Sequence, residues 1–143
     1  MKTLIFGSLL ALSSLPVLAQ SNVGDLLDKG ARKLTKADYT AMVPLRIKYV
    51  WPIGGGEGDL LFQADGTLSG SEYHYGSRSE SPATGVWSAD EDGKWCSKKH
   101  MPVWNSRTDM CYYTYQVGEE FYGALKDERS ARFFKIKSVT KQP

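Results

Sequence analysis

Cysteine and histidine are scarce in this chain, with two of each among its 143 residues. His74 and His100 leave little material for acid–base chemistry, and no Gly-x-Ser-x-Gly elbow presents a nucleophile. An excess of one charge sign is lacking too. Eighteen basic against sixteen acidic groups leave a net charge of +2, which supports neither a nucleic-acid groove nor a polybasic membrane anchor. No internal repeat or long low-complexity tract occurs. The run Gly54-Gly55-Gly56-Glu57-Gly58 lacks the Lys and Ser/Thr of a phosphate loop and leads into a strand. It is neither a P-loop nor a dinucleotide fingerprint; it reads as a wide, flexible β-turn, and no cofactor is implied. What is present is an ordinary globular mixture, 41% apolar and 24% charged, which predicts one ordered domain. Aromatics at 12% and fourteen glycines lean it towards β-structure.

The first segment reads as an address. Met1-Lys2 is a short positive start, residues 3–15 are uncharged and apolar, and Val17 and Ala19 place small residues before a cut after Ala19. This is the pattern of a cleaved signal peptide over 1–19. Pro16 interrupts the run short of the roughly 20 residues a spanning helix needs, and no cysteine follows it to carry a lipid. The expectation is a periplasmic or secreted protein, not held to a membrane after cleavage. In an oxidising compartment Cys96 and Cys111 pair as one disulfide. The bridge closes a loop of about 15 residues, worth about 3 kcal/mol by chain entropy. A metal site from Cys96, His100 and Cys111 competes with this, but it lacks a fourth ligand, and no metal is expected.

Residues 20–43 form a helical lead-in. Val23, Leu27, Ala31 and Leu34 share one helical face; Thr35-Lys36-Ala37-Asp38 then marks an N-cap with an acid three residues on. Pro44 ends that helix. From residue 44 to 143 the period becomes two. Strands are expected at 45–51, 59–64, 67–75, 84–89, from Trp95, at 110–117, 121–126 and 131–139, with 77–82 and 98–109 as loops. About eight short strands with turn signals between them predict a small, mainly β fold. It is an antiparallel up-and-down meander, closed as a barrel or left as a half-barrel. Such a barrel is filled by side chains or holds one small ligand.

Three surfaces are candidates for function. In 67–75, alternation from Leu68 points Gly70, Glu72 and His74 inward, where a Glu beside a His could bind a ligand or act as an enzyme pair. The preferred reading is the reverse: a bulge at Gly70 turns Tyr73 and Tyr75 into the core, because two aromatics gain more by burial than a charged pair. The disulfide-closed segment is the second candidate. Lys98, Lys99, Trp104 and Arg107 give it a local positive charge and hot-spot residue types for a protein partner. The alternative, which is favoured, is that Trp104 and Val103 fold back as a plug over the barrel mouth. The third candidate is an aromatic lumen drawing on Tyr49, Trp51 and Trp87. An interior filled by Trp51, Phe62, Trp87 and Phe134 would leave it no space.

Several residues carry a resemblance. Lys33-Leu34-Thr35 precedes a short helix, Ala64-Asp65-Gly66-Thr67-Leu68-Ser69-Gly70 lies on a hairpin, and Gly85-Val86-Trp87 on a strand. Asp92-Gly93-Lys94-Trp95-Cys96 and Cys111-Tyr112-Tyr113 follow. This layout resembles small uncharacterised periplasmic β-domains of bacteria, a domain-of-unknown-function type, and more loosely lipocalin-like barrels. The resemblance implies architecture and transfers no catalytic residue. The expectation is a monomeric, non-enzymatic binding protein. A protein partner bound through the 96–111 segment, in an inhibitor- or immunity-like role, stands slightly ahead of a small apolar ligand in the barrel.

Overall fold

A computed structural model describes residues 22–143; the segment 1–19, expected to be a signal peptide, lies outside them. Two capping boxes open the described chain. Asn22 and Asp25 bond each other's backbone N–H at the start of α1 (Val23–Asp28), and Thr35 and Asp38 do the same for α2 (Lys36–Met42). Each satisfies N–H groups that a helix start leaves unpaired. The lead-in is therefore not continuously helical. Gly30, at φ +85°, ends the first turn pair, and Arg32–Lys33 forms a short strand, β1.

The barrel strands are β2 (Leu45–Val50), β3 (Gly56–Phe62), β4 (Thr67–His74), β5 (Ser79–Ala89), β6 (Lys94–Met101), β7 (Ser106–Val117), β8 (Glu120–Ala124) and β9 (Phe133–Lys141). Each pairs antiparallel with its neighbour in sequence, and β9 returns to pair with β2. The sheet is thus a closed eight-stranded up-and-down barrel, with β1 added alongside β7. Closure leaves the eight strands without an open edge.

Two expected loops are strand. Of residues 77–82, the first two are turn and 79–82 begin β5, where the proline is tolerated because β5 pairs with β6 only from Thr84 onward. Residues 98–109 are not a long loop. They complete β6, make one 3-10 turn at Pro102–Trp104, and begin β7. Asn105 at φ 45° tightens that turn, which leaves a hairpin with Cys96 directly opposite Cys111.

The interior is divided along its axis. At one end Phe62, Leu68, Trp87 and Trp95 pack with Leu34 and Tyr39 from the α2 region. Trp87 stacks on Trp95 at 4.4 Å between centroids, and Tyr39 and Phe62 meet Trp95 edge-on at 4.5 and 4.8 Å. The space left near Tyr39 and Trp95 is about 10 Å3, too little for a ligand. A second cluster lies on the barrel's flank, where Val23 and Leu26 of α1 cover Tyr115, Tyr122 and Ala124. The other end of the barrel is not filled.

Candidate functional site

Strand parity sets the site. The β3–β4 register runs unbroken from Gly56 opposite His74 to Phe62 opposite Leu68. No bulge forms at Gly70, so the expected reversal of β4 does not occur. Glu72 points inward and is 1% exposed, while Tyr73 and Tyr75 are 36% and 44% exposed. Gly70 absorbs the tight approach instead: a Cβ there would lie 2.1 Å from the Asp59 carbonyl oxygen.

The burial of Glu72 is made tolerable by its partners. Tyr49 Oη and Lys99 Nζ both donate to Oε1, and Trp51 Nε1 donates to Oε2 at 2.5 Å. Lys99 Nζ also donates to Tyr49 Oη at 2.6 Å and lies 5.2 Å from the Tyr49 ring centre. The carboxylate thus gains three donors and an opposite charge, the conditions under which a buried charge persists. Burial, and then the Glu72 charge, hold the Tyr49 phenol far above its ordinary range. It stays a donor to the carboxylate.

Glycines make the room. Gly56 and Gly58 fall on the inward face of β3, in phase with Leu60 and Phe62. A Cβ on Gly58 would meet the Tyr49 ring at 2.6 Å and Glu72 Oε2 at 2.8 Å, and one on Gly56 would meet Trp51 at 2.6 Å. The glycine-rich run is therefore only partly a turn. Its second half is strand, emptied of side chains so that Tyr49, Trp51 and Glu72 can converge. The signal was the period-two spacing of Gly56, Gly58, Leu60 and Phe62.

Above this polar floor lies a cavity of about 320 Å3. Its walls are mostly apolar, with Trp51, Met101, Trp104 and Met110 prominent; Ser106 and Thr108 add hydroxyls from β7. Trp51, His74 and Trp104 meet edge-on at the rim, with centroids 5.5 to 6.2 Å apart. Trp104 is fixed there by its indole N–H donating to Ser79 Oγ at 2.9 Å. His74 Nδ1 accepts from the Ser77 backbone N–H at 3.1 Å, so the ring is tied to its own turn and not to Glu72. Ile53, 93% exposed, stands at the mouth.

The structure brings together Tyr49, Trp51, Glu72 and His74 and adds Lys99 and Trp104 from the other candidate surface. It does not bring Trp87, which lies in the packed half. The four residues singled out for a protein partner divide. Lys98 and Arg107 face solvent, Lys98 within 3.4 Å of Asp109. Lys99, whose side chain is 9% exposed, turns into the barrel, and Trp104 lies on its mouth. Alternation along β6 is the reason: Trp95, Ser97, Lys99 and Met101 share the inner face. Met101 and Thr108 escaped sequence reasoning because the segment 98–109 holding them read as a loop; Met110 opens the strand expected at 110–117, but nothing in its own residue type marked it as a site residue.

Cys96 and Cys111 are joined as a disulfide, Cα atoms 4.0 Å apart, on the outer face of the hairpin. With each sulfur bonded to the other, the metal reading of Cys96, His100 and Cys111 is overturned. Among the described residues no group of three or more His, Cys, Asp or Glu side chains is placed to hold a metal ion. None of the described helices is long and apolar enough to cross a membrane.

Fold and cavity together define a small closed antiparallel β-barrel, packed at one end and hollow at the other, compatible with a lipocalin-like fold. No family model, curated protein or solved structure matches the chain, and the class rests on architecture alone.

Proposed function

We propose that this is an exported, non-enzymatic carrier that binds one small, largely apolar ligand in the open end of its barrel. The observation that supports it is the cavity of about 320 Å3 walled by Trp51, Met101, Trp104 and Met110 over a fixed polar floor. Its size lies within the range of small-molecule sites, and apolar walls with a few placed polar groups are their usual composition. Glu72 suits a structural role in that floor better than acid–base chemistry, since three donors already engage its oxygens. The disulfide fits the periplasmic or secreted location that residues 1–19 suggest.

The test is a titration with the neutral fluorophore N-phenyl-1-naphthylamine. Saturable one-to-one binding is expected, and Met110→Trp, which fills the cavity, should abolish it while the fold persists. Absence of binding to the native protein, or binding that Met110→Trp leaves intact, would overturn the proposal.

A protein-partner reading retains one supporting observation. Lys98, His100 and Arg107 border a shallow outer depression on β6 and β7 beside the disulfide. For that reading, Lys98→Glu with Arg107→Glu should abolish co-purification of a partner from periplasmic extract and leave dye binding unchanged.

A further inference from the structure

The carrier reading leaves open the chemical class of the ligand, and the charges in the cavity bear on it. Two ionisable side chains of opposite sign line it, Glu72 and Lys99, and they contact one another. Glu72 is further held by Tyr49 and Trp51, and Lys99 by Tyr49. The site is therefore electrically balanced before any ligand enters. A carboxylate or an ammonium brought into it would leave one buried charge without a counter-charge, the arrangement that desolvation penalises most. An uncharged molecule meets no such penalty.

The cavity is not wholly satisfied in hydrogen bonds. Thr108 lines the same cavity, and its buried Oγ1 has no hydrogen-bond partner within the described protein. A buried hydroxyl left unpaired is costly, and a ligand group able to pair with it recovers that cost. Lys99 bears three N–H groups, and Glu72 and Tyr49 take two of them. That leaves the third N–H as a donor to which a ligand oxygen can be offered.

Resting on the carrier reading, we infer that the cavity selects uncharged amphiphiles, an apolar body carrying one hydroxyl or carbonyl oxygen, and that the Glu72–Lys99 pair sets this preference by cancelling its own charge. The pair is a specificity determinant, and neither member has to be removed from the other for the ligand to bind.

The test uses the full chain, N-phenyl-1-naphthylamine as the displaced dye, and four probes of equal chain length at neutral pH: 1-decanol, 2-decanone, decanoate and decylammonium. The two neutral probes should displace the dye at concentrations roughly tenfold or more below those of the two ions. Glu72→Gln leaves Lys99 unbalanced and should improve decanoate roughly tenfold; Lys99→Met leaves Glu72 unbalanced and should improve decylammonium by a similar factor. Near-UV circular dichroism checks that each variant is folded, and either variant alone suffices. An ion that competes as well as decanol in the native protein overturns the inference and leaves the carrier reading standing. So does an unchanged order of preference in a folded variant. A native protein that binds neither dye nor any probe overturns both.

Discussion

Single residues at the barrel's open end carry opposed physical demands. Glu72 is wholly buried and charged, and the structure meets that with Lys99, Tyr49 and Trp51. Removing one partner of such a pair leaves the other charge stranded. Glu72→Ala should therefore cost about 3–5 kcal/mol in urea denaturation, and adding Lys99→Met should restore much of it. A double mutant no more stable than the single would refute the coupling. Gly58→Ala tests the room made for the cluster. Its Cβ would strike Tyr49 and Glu72, and overpacking of this kind costs about 1–3 kcal/mol; an unchanged unfolding midpoint would speak against it. The inward face of Glu72 was present in the sequence as plain alternation from Leu68. It was masked by a sound preference for burying Tyr73 and Tyr75. That preference fails because the comparison depends on partners, and these come from elsewhere in the chain: Tyr49 on β2, Trp51 just after it and Lys99 on β6.

At the scale of elements, turn and cap chemistry was the most legible part. Thr35 and Asp38 form the expected capping box, and Asp65-Gly66 and Asp92-Gly93 turn where they should, both glycines at positive φ. Thr35→Ala should lower stability by about 1 kcal/mol, with an unchanged denaturant slope. The β6–β7 hairpin was the least legible element. Lys98, Lys99, Met101 and Pro102 break the aromatic and β-branched pattern by which strands are recognised, and Pro102 is confined to the turn itself. The disulfide ties two strands already paired in the sheet, so its effect lies chiefly in restricting the unfolded chain. Reduction should cost about 3 kcal/mol, the value for a closed loop of 15 residues. A reduced protein with the same urea midpoint would contradict this.

For the whole molecule, titratable groups bound stability on both sides of neutrality. The Thr35 backbone N–H and the Arg32 guanidinium hold Asp38 below the usual carboxylate range, and Arg46 does the same for Asp59 through paired contacts of 2.7 and 2.9 Å. A depressed folded value means that the unfolded chain takes up the proton first. This stabilisation is present above about pH 4 and fades as pH falls further. At the alkaline end the sign reverses. Burial pushes Tyr39 up to about 12 and raises Tyr49 and Tyr112 as well. Unfolded phenols ionise near pH 10, so the native state retains protons the unfolded chain has lost. Stability should fall as pH rises above about 10. Thermal midpoints measured from about pH 3 to 11 should show a plateau with a decline at each end; a midpoint still flat at the alkaline end would count against buried phenols.

Local chemistry in the sequence determined the order of the eight barrel strands, the hairpin turns, the Thr35 helix cap, and, with Cys96 and Cys111 as the only thiols, the disulfide pair. These are short-range properties: alternation, conformational preference at turns, and capping all act within a few residues. Closure of the meander into a barrel was open between two outcomes, and only the pairing of β9 with β2 decided it. The cavity is a tertiary product throughout. Tyr49, Trp51, Glu72, Lys99, Trp104 and Thr108 come from separate strands and turns, and which of them face each other depends on parity in strands far apart in the chain, Tyr49 and Lys99 being separated by 50 residues. A lysine that reads as surface charge becomes an interior counter-ion once β6 is a strand and its third inward position meets a carboxylate.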